Sequence, residues 1–107
     1  MIKDCIFCKI INKQIPADFE YEDNDFVVFK DIHPSAPIHF LIVPKKHIKD
    51  ISESDSALWD EIRKIALRLS KKLNTSGFRL ATNVGDAALV EHLHVHFLAG
   101  ITKERKL

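Results

Sequence analysis

The segment His92-Leu93-His94-Val95-His96-Phe97-Leu98 constrains this chain more than any other stretch. Strict alternation of polar and apolar residues is the period of a β-strand, in which successive side chains point to opposite faces. It predicts a strand, His94 to Ala99, in an alternation that lines one side with the imidazoles of His92, His94 and His96 and sends Leu93, Val95 and Phe97 into a core. A strand rises ~3.3 Å per residue, so the Cα atoms of His92 and His96 stand about 13 Å apart. Metal–nitrogen bonds of ~2.0–2.1 Å cannot bring all the rings of a regular strand onto one ion. Either this is a solvated face that happens to be rich in histidine, or the three rings hold different jobs.

The other elements come from the same periodicities. At 107 residues, 46% of them apolar, the chain predicts a single domain, 1–107, with a packed core. Ile6, Phe7, Ile10 and Ile11 recur at helical spacing behind Asp4, a candidate N-cap, and Pro16 bars any continuation, giving a short helix from about Cys5 to Asn12. Phe19–Glu22 and Phe26–Phe29 read as a hairpin around Asp23-Asn24-Asp25, and Ile38–Val43 as a third strand. From about Ser54 to Asn74, Leu58, Ile62, Ile65, Ala66, Leu69 and Leu73 keep to steps of three and four, the mark of one long amphipathic helix. Phe78–Asn83 supplies a fourth strand. The class is α+β: a five-stranded, mostly antiparallel sheet with a short N-terminal helix and one long helix over one face. The second face, or an edge, still needs cover, and another copy of the chain is the simplest source.

Composition narrows the partners. Sixteen Lys and Arg against fifteen Asp and Glu leave a net charge of +1 with no basic tract, which argues against nucleic acid or an anionic membrane. No run approaches the ~20 apolar residues of a membrane span, and the first residues do not read as a secretory signal, so a cytoplasmic location is expected. The two cysteines, Cys5 and Cys8, stand three apart at a helix start and put both thiols on one face. That is half of a tetrahedral zinc site; a redox pair would expect a thioredoxin-like βαβ context that this order of elements does not supply, and two ordinary reduced cysteines are the alternative.

His-x-His-x-His followed by apolar residues resembles the signature of the histidine-triad proteins. The resemblance extends through Cys5–Ile11 with Ile15-Pro16-Ala17, Phe29–Pro34, Ala36–His47 and Asn83-Val84-Gly85. It is nearer the Hint branch, purine nucleoside phosphoramidases, than the dinucleoside polyphosphate hydrolases. The resemblance implies that His94 attacks the α-phosphorus of a nucleoside phosphoramidate or related nucleotide ester, giving a nucleotidyl-histidine that water hydrolyses to a nucleoside monophosphate. Neutral imidazole suits this, provided its other nitrogen keeps the proton and is held, usually by a backbone carbonyl. His96 would hydrogen-bond a phosphate oxygen or the leaving group. His39 would complete the shell, its alternative being a buried histidine satisfied by backbone. Asp31 matches the ribose ligand, although in a strand-exit turn it also fits plain turn chemistry. Asn83 matches an amide near the phosphate or ribose, and Phe7, Ile10, Ile32 and Leu41 the apolar walls around a purine base, though each also fits a core position.

Two further implications belong to the resemblance. In bacterial members with a Cys-x-x-Cys, and in related uridylyltransferases, a structural zinc is completed by positions equivalent to His47 and His92, and the subunits pair as homodimers that join two sheets. One departure stands against the resemblance: Gly-Gln-Ser or Gly-Gln-Thr ordinarily precedes the triad, whereas this chain has Asp86-Ala87-Ala88-Leu89-Val90-Glu91, with Leu89 in place of the hydroxyl. Losing one positioned donor costs ~10²–10³ in rate. A nucleotide-binding or interaction module with weak catalysis is therefore the alternative function. The tail Thr102–Leu107 also lacks the aromatic ending of some relatives.

Overall fold

The computed structural model describes residues 5–104. It contains α1 (Ile6–Ile11), β1 (Phe19–Glu22), β2 (Phe26–Lys30), β3 (Ile38–Pro44), α2 (Ser56–Leu73), β4 (Phe78–Ala81) and β5 (Val95–Ala99), with short 3-10 turns at Ile51–Glu53 and Gly85–Ala87. The strands form one sheet in the order β1-β2-β3-β5-β4, and every neighbouring pair is antiparallel. Asp4, the expected cap of the first helix, lies outside the described residues, as do positions 105–107 of the tail. Cys5 caps α1 instead, its Sγ accepting the Cys8 backbone N–H at 3.3 Å.

Local chemistry explains the main turns. Asp23 closes the β1–β2 hairpin by accepting the backbone N–H groups of Asp25 and Phe26 on one carboxylate oxygen, at 2.8 and 2.7 Å, while Tyr21 donates its hydroxyl to the other. Asp55 caps α2 by accepting the Leu58 N–H at 2.8 Å, so the helix begins at Ser56, slightly later than its periodicity suggests. At the far end Asn74 takes the left-handed conformation, φ 54°, that terminates many helices. Alanine tolerates that geometry poorly. Asn74→Ala is expected to lower stability by about 1 kcal/mol and Asn74→Gly to change it by less than ~0.5 kcal/mol, read from urea unfolding midpoints.

Both faces of the sheet are covered, and by this chain itself. Ile62, Ile65, Ala66 and Leu69 of α2 pack on Phe26, Val28, Phe40, Ile42, Val95 and Phe97. The alternate residues of the same strands, Val27, Phe29, Leu41 and Val43, face the other way and are buried under Phe7, Cys8 and Ile10 of α1. The expectation of an uncovered second face is corrected accordingly: six residues of helix suffice to cover the middle of it.

The strand boundaries near the triad also shift. β4 stops at Ala81 rather than Asn83, and β5 begins at Val95 rather than His94. The last rung between β3 and β5 is Ile42 with Val95, shortly before Pro44, which has no N–H to give. Residues 92–94 are tied by other bonds: the Leu93 N–H to the Ile48 carbonyl at 2.6 Å, and the Thr82 hydroxyl to the His94 carbonyl at 2.8 Å. The alternation nevertheless holds through them, with Val95 and Phe97 packed toward α2 while the rings of His92 and His94 stand against Phe7 of α1.

Candidate active site and metal site

His94 is 6% exposed, and its ring is oriented by its own chain. Nδ1 lies 2.8 Å from the carbonyl of His92. A carbonyl can only accept, so the proton is on Nδ1 and the Nε2 lone pair is left available. The edge of Phe7 packs against the ring, 5.0 Å between centroids, and buttresses it from the α1 side.

A second chain of bonds fixes His39 and His96. The Ser35 backbone N–H donates to His39 Nδ1 at 2.9 Å, so that nitrogen bears no proton and the imidazole carries its hydrogen on Nε2. His39 Nε2 is 2.8 Å from His96 Nδ1, which must accept, and His96 is thereby left with its hydrogen on Nε2. Sequence spacing brings the pair together: Leu41 is opposite His96 in the β3–β5 register, and His39 shares the face of Leu41 two residues away. Burial pushes the His96 pKa down, reinforced by His94 and His39, with Asp31 opposing. The ring stays neutral at neutral pH. Its centroid lies 5.1 Å from that of His94, the two rings meeting edge to face.

Asp31 joins this group from the turn after β2. One carboxylate oxygen accepts the His33 N–H at 2.8 Å; the other is 3.3 Å from His39 Nε2 and 3.9 Å from His96 Nδ1. The turn role read for it in the sequence is therefore real, and the second oxygen still faces the cluster. Asp31, His39 and His96 make a poor metal cage despite their proximity, because the lone pair of His96 Nδ1 is engaged by the His39 proton.

The residues expected around a base divide. Phe7, Ile10 and Leu41 are 7%, 9% and 5% exposed and belong to the core beneath α1, whereas Ile32 is 84% exposed. Asn83 is half-buried just beyond β4. Leu89 is 96% exposed and lines a surface hollow of ≈ 860 Å³ together with Cys5, Ile6, His47 and Val90. That hollow adjoins the thiols rather than His94.

Cys5, Cys8, His47 and His92 converge, their ligand atoms all within 4.8 Å of one another. Cys5 Sγ is 3.2 Å and Cys8 Sγ 3.5 Å from His92 Nδ1, and Cys8 Sγ is 3.3 Å from His47 Nδ1. A tetrahedral ion with bonds of ~2.3 Å to sulfur and ~2.0–2.1 Å to nitrogen requires S···N edges of about 3.5 Å. The donor set and its spacing fit a thiophilic ion such as zinc. His92 Nε2–H donates to the Pro44 carbonyl at 2.8 Å, which turns the Nδ1 lone pair toward the thiols, the arrangement that holds most metal-binding imidazoles. Burial, then the neighbouring Cys5, pushes the Cys8 thiol up to about 11, so an ion must displace its proton.

His92 is wholly buried, and burial brings its pKa down to about 4 in the metal-free protein. Unfolded, it would titrate near ~6.5. Between those values the unfolded chain binds the extra proton and the folded one does not, so stability rises with pH. Metal-free protein is expected to lose roughly 3 kcal/mol as pH falls from about 6.5 to 4, measured by urea titrations at several pH values; a His92→Gln variant should show a flatter profile.

The sequence did not announce the backbone groups that aim these rings. The Ser35 amide, the Pro44 carbonyl and the His92 carbonyl carry no side-chain signature, and only the fold brings them to the histidines.

A family model described as "Scavenger mRNA decapping enzyme C-term binding" matches residues 4–106. Protein HitA of Neisseria gonorrhoeae is 38% identical over 101 residues, 89% of this chain and 94% of its own length. Among solved structures, a HIT family hydrolase from Clostridium thermocellum superposes with a TM-score of 0.92 at 38% identity, covering 100% of this chain and 99% of that one. A histidine triad protein from Clostridium difficile gives a TM-score of 0.91 at 35% identity, with the same coverage.

Proposed function

The chain belongs to the histidine-triad family, and from that premise we propose that it is a nucleotide hydrolase of the Hint-like branch. It cleaves at the α-phosphate of purine nucleoside phosphoramidates or related nucleotide esters. The observation that carries this reading is the His94 ring, held at Nδ1 by the His92 carbonyl with Nε2 left as a nucleophile.

The chemistry balances as two displacements at phosphorus. His94 Nε2 forms a bond to the α-phosphorus as the bond to the leaving amine or alcohol breaks, and the leaving group takes up a proton. Water then attacks the phosphorus and breaks its bond to nitrogen, releasing nucleoside monophosphate and restoring His94. His96, its ring beside that of His94, donates its Nε2–H to a non-bridging oxygen as charge builds there, kept in orientation by the His39 bond. Asp31 holds the ribose hydroxyls, with Asn83 near the phosphate and Ile32 on the base side. Cys5, Cys8, His47 and His92 would hold zinc, which when bound would supply a structural tie between α1 and the triad segment.

Incubation with adenosine phosphoramidate tests the reading through AMP release and a labelled adduct on His94 in quenched mixtures. Leu89 favours a second reading. Its side chain is exposed and offers no hydroxyl, so a module that binds nucleotide with little turnover would release AMP no faster than a His94→Ala variant while both bind AMP. The same proposal includes a homodimer joined through the β4 edge, where Leu80 is 40% exposed, and sedimentation measures it. No described helix is long and apolar enough to cross a membrane; a cytoplasmic location and a small-molecule nucleotide, not a nucleic acid, as substrate complete the proposal.

A further inference from the structure

We propose that His92 is a positioning residue through which the state of the Cys5, Cys8, His47 and His92 set governs the aim of His94. The inference rests on the reading of His94 as the nucleophile. One buried residue here serves both sites. Its ring faces Cys5 and Cys8 at 3.2 and 3.5 Å, and its carbonyl receives the His94 Nδ1–H at 2.8 Å.

The sheet does not hold His92 in place. β5 begins at Val95, so the peptide that orients the catalytic ring lies outside the ladder. Its anchors are the Nε2–H bond to Pro44, the bond to Ile48 from the Leu93 N–H of the same peptide unit, and whatever occupies the space between Nδ1 and the thiols. A thiol is a weak hydrogen-bond partner, whereas an ion shared with two sulfurs and a second imidazole fixes the ring in direction as well as distance. A loaded set therefore adds a third anchor to His92, and an emptied set leaves the placement of its peptide to the two remaining bonds. Misplacing a nucleophile by a fraction of an ångström slows the reaction while leaving ground-state binding intact.

The set is also reachable. Cys5 and His47 line the ≈ 860 Å³ hollow, so an ion can enter or leave there without disturbing the space in front of His94. Metal availability would then act on turnover through a hollow that His94 does not line.

The experiment compares zinc-loaded protein, the same protein after chelation, and His47→Asn, which removes a ligand carried by a different segment from the His92 carbonyl. Circular dichroism monitors the fold, and histidine ¹⁵N spectra monitor the His94 Nδ1–H. Chelated protein and His47→Asn are expected to lose about tenfold in kcat, to keep AMP affinity within about twofold, and to show a weakened or exchange-broadened His94 Nδ1–H signal. Added zinc should restore the chelated wild type fully and the variant only in part. Unchanged kcat with an unchanged His94 signal in metal-free protein overturns the proposal. So does failure to take up zinc or cobalt, and so does global unfolding in both arms, which would make the set a staple of the whole fold. A protein that turns over no nucleotide but whose His94 signal tracks zinc would instead refute the proposed function and leave the coupling standing.

Discussion

Replacing His94 by alanine is expected to reduce kcat for AMP release from adenosine phosphoramidate by about 10⁴-fold or more, with AMP affinity held within about threefold. The size of the effect comes from chemistry with no substitute in the site. His96 Nδ1 is engaged by His39, and His39 Nδ1 by the Ser35 amide, so no other imidazole of the cluster turns a lone pair toward the substrate. Affinity is spared because Asp31 and the exposed Ile32 remain in place, and the ring removed is small and already packed against Phe7. His96→Ala should cost less, about 10²-fold, because it removes a donor rather than the bond-forming atom. A rate for His94→Ala within tenfold of wild type would refute the nucleophile assignment.

Chelation or Cys8→Ser is expected to lower the melting temperature by about 10–20 °C, equivalent to roughly 3 kcal/mol, while the protein stays folded at room temperature. An ion held there would tie together three separate parts of the chain: the start of α1, the loop after β3 and the approach to β5. Removing it leaves two buried thiols and a buried imidazole with weak partners. The core beneath α2 is independent of that corner, and for this reason the loss stops short of unfolding. Differential scanning calorimetry with and without zinc reads the shift, and a shift below ~3 °C would show that no structural ion is bound.

Much of the architecture was legible in the residues because each central strand alternates between two burial environments. Val27 and Val28 look alike in sequence, yet the period of two assigns one to α1 and the other to α2. The long helix was equally plain, since its apolar steps and its Asn74 terminus agree. What escaped was the start of β5 and the cover of the second face. The triad alternates like a strand, but its first half is held by bonds to Ile48 and Thr82 outside the ladder, which periodicity cannot distinguish from a paired strand. A helix of six residues also looks too short to cover a sheet until the burial of Phe7, Cys8 and Ile10, with Cys5 at its cap, is seen together. The convergence of Cys5, Cys8, His47 and His92 was legible as side chains, whereas hydrogen-bond direction was not, because the groups that impose it are main-chain ones.

The Ser35 amide at the head of the histidine pair gives the pocket a polarity. With that nitrogen capped, neither ring can exchange tautomers without breaking a bond, and the last atom of the series shows the entering molecule a hydrogen rather than an electron pair. His96 is thereby committed to donating rather than accepting, without a single fixed positive charge on the two rings.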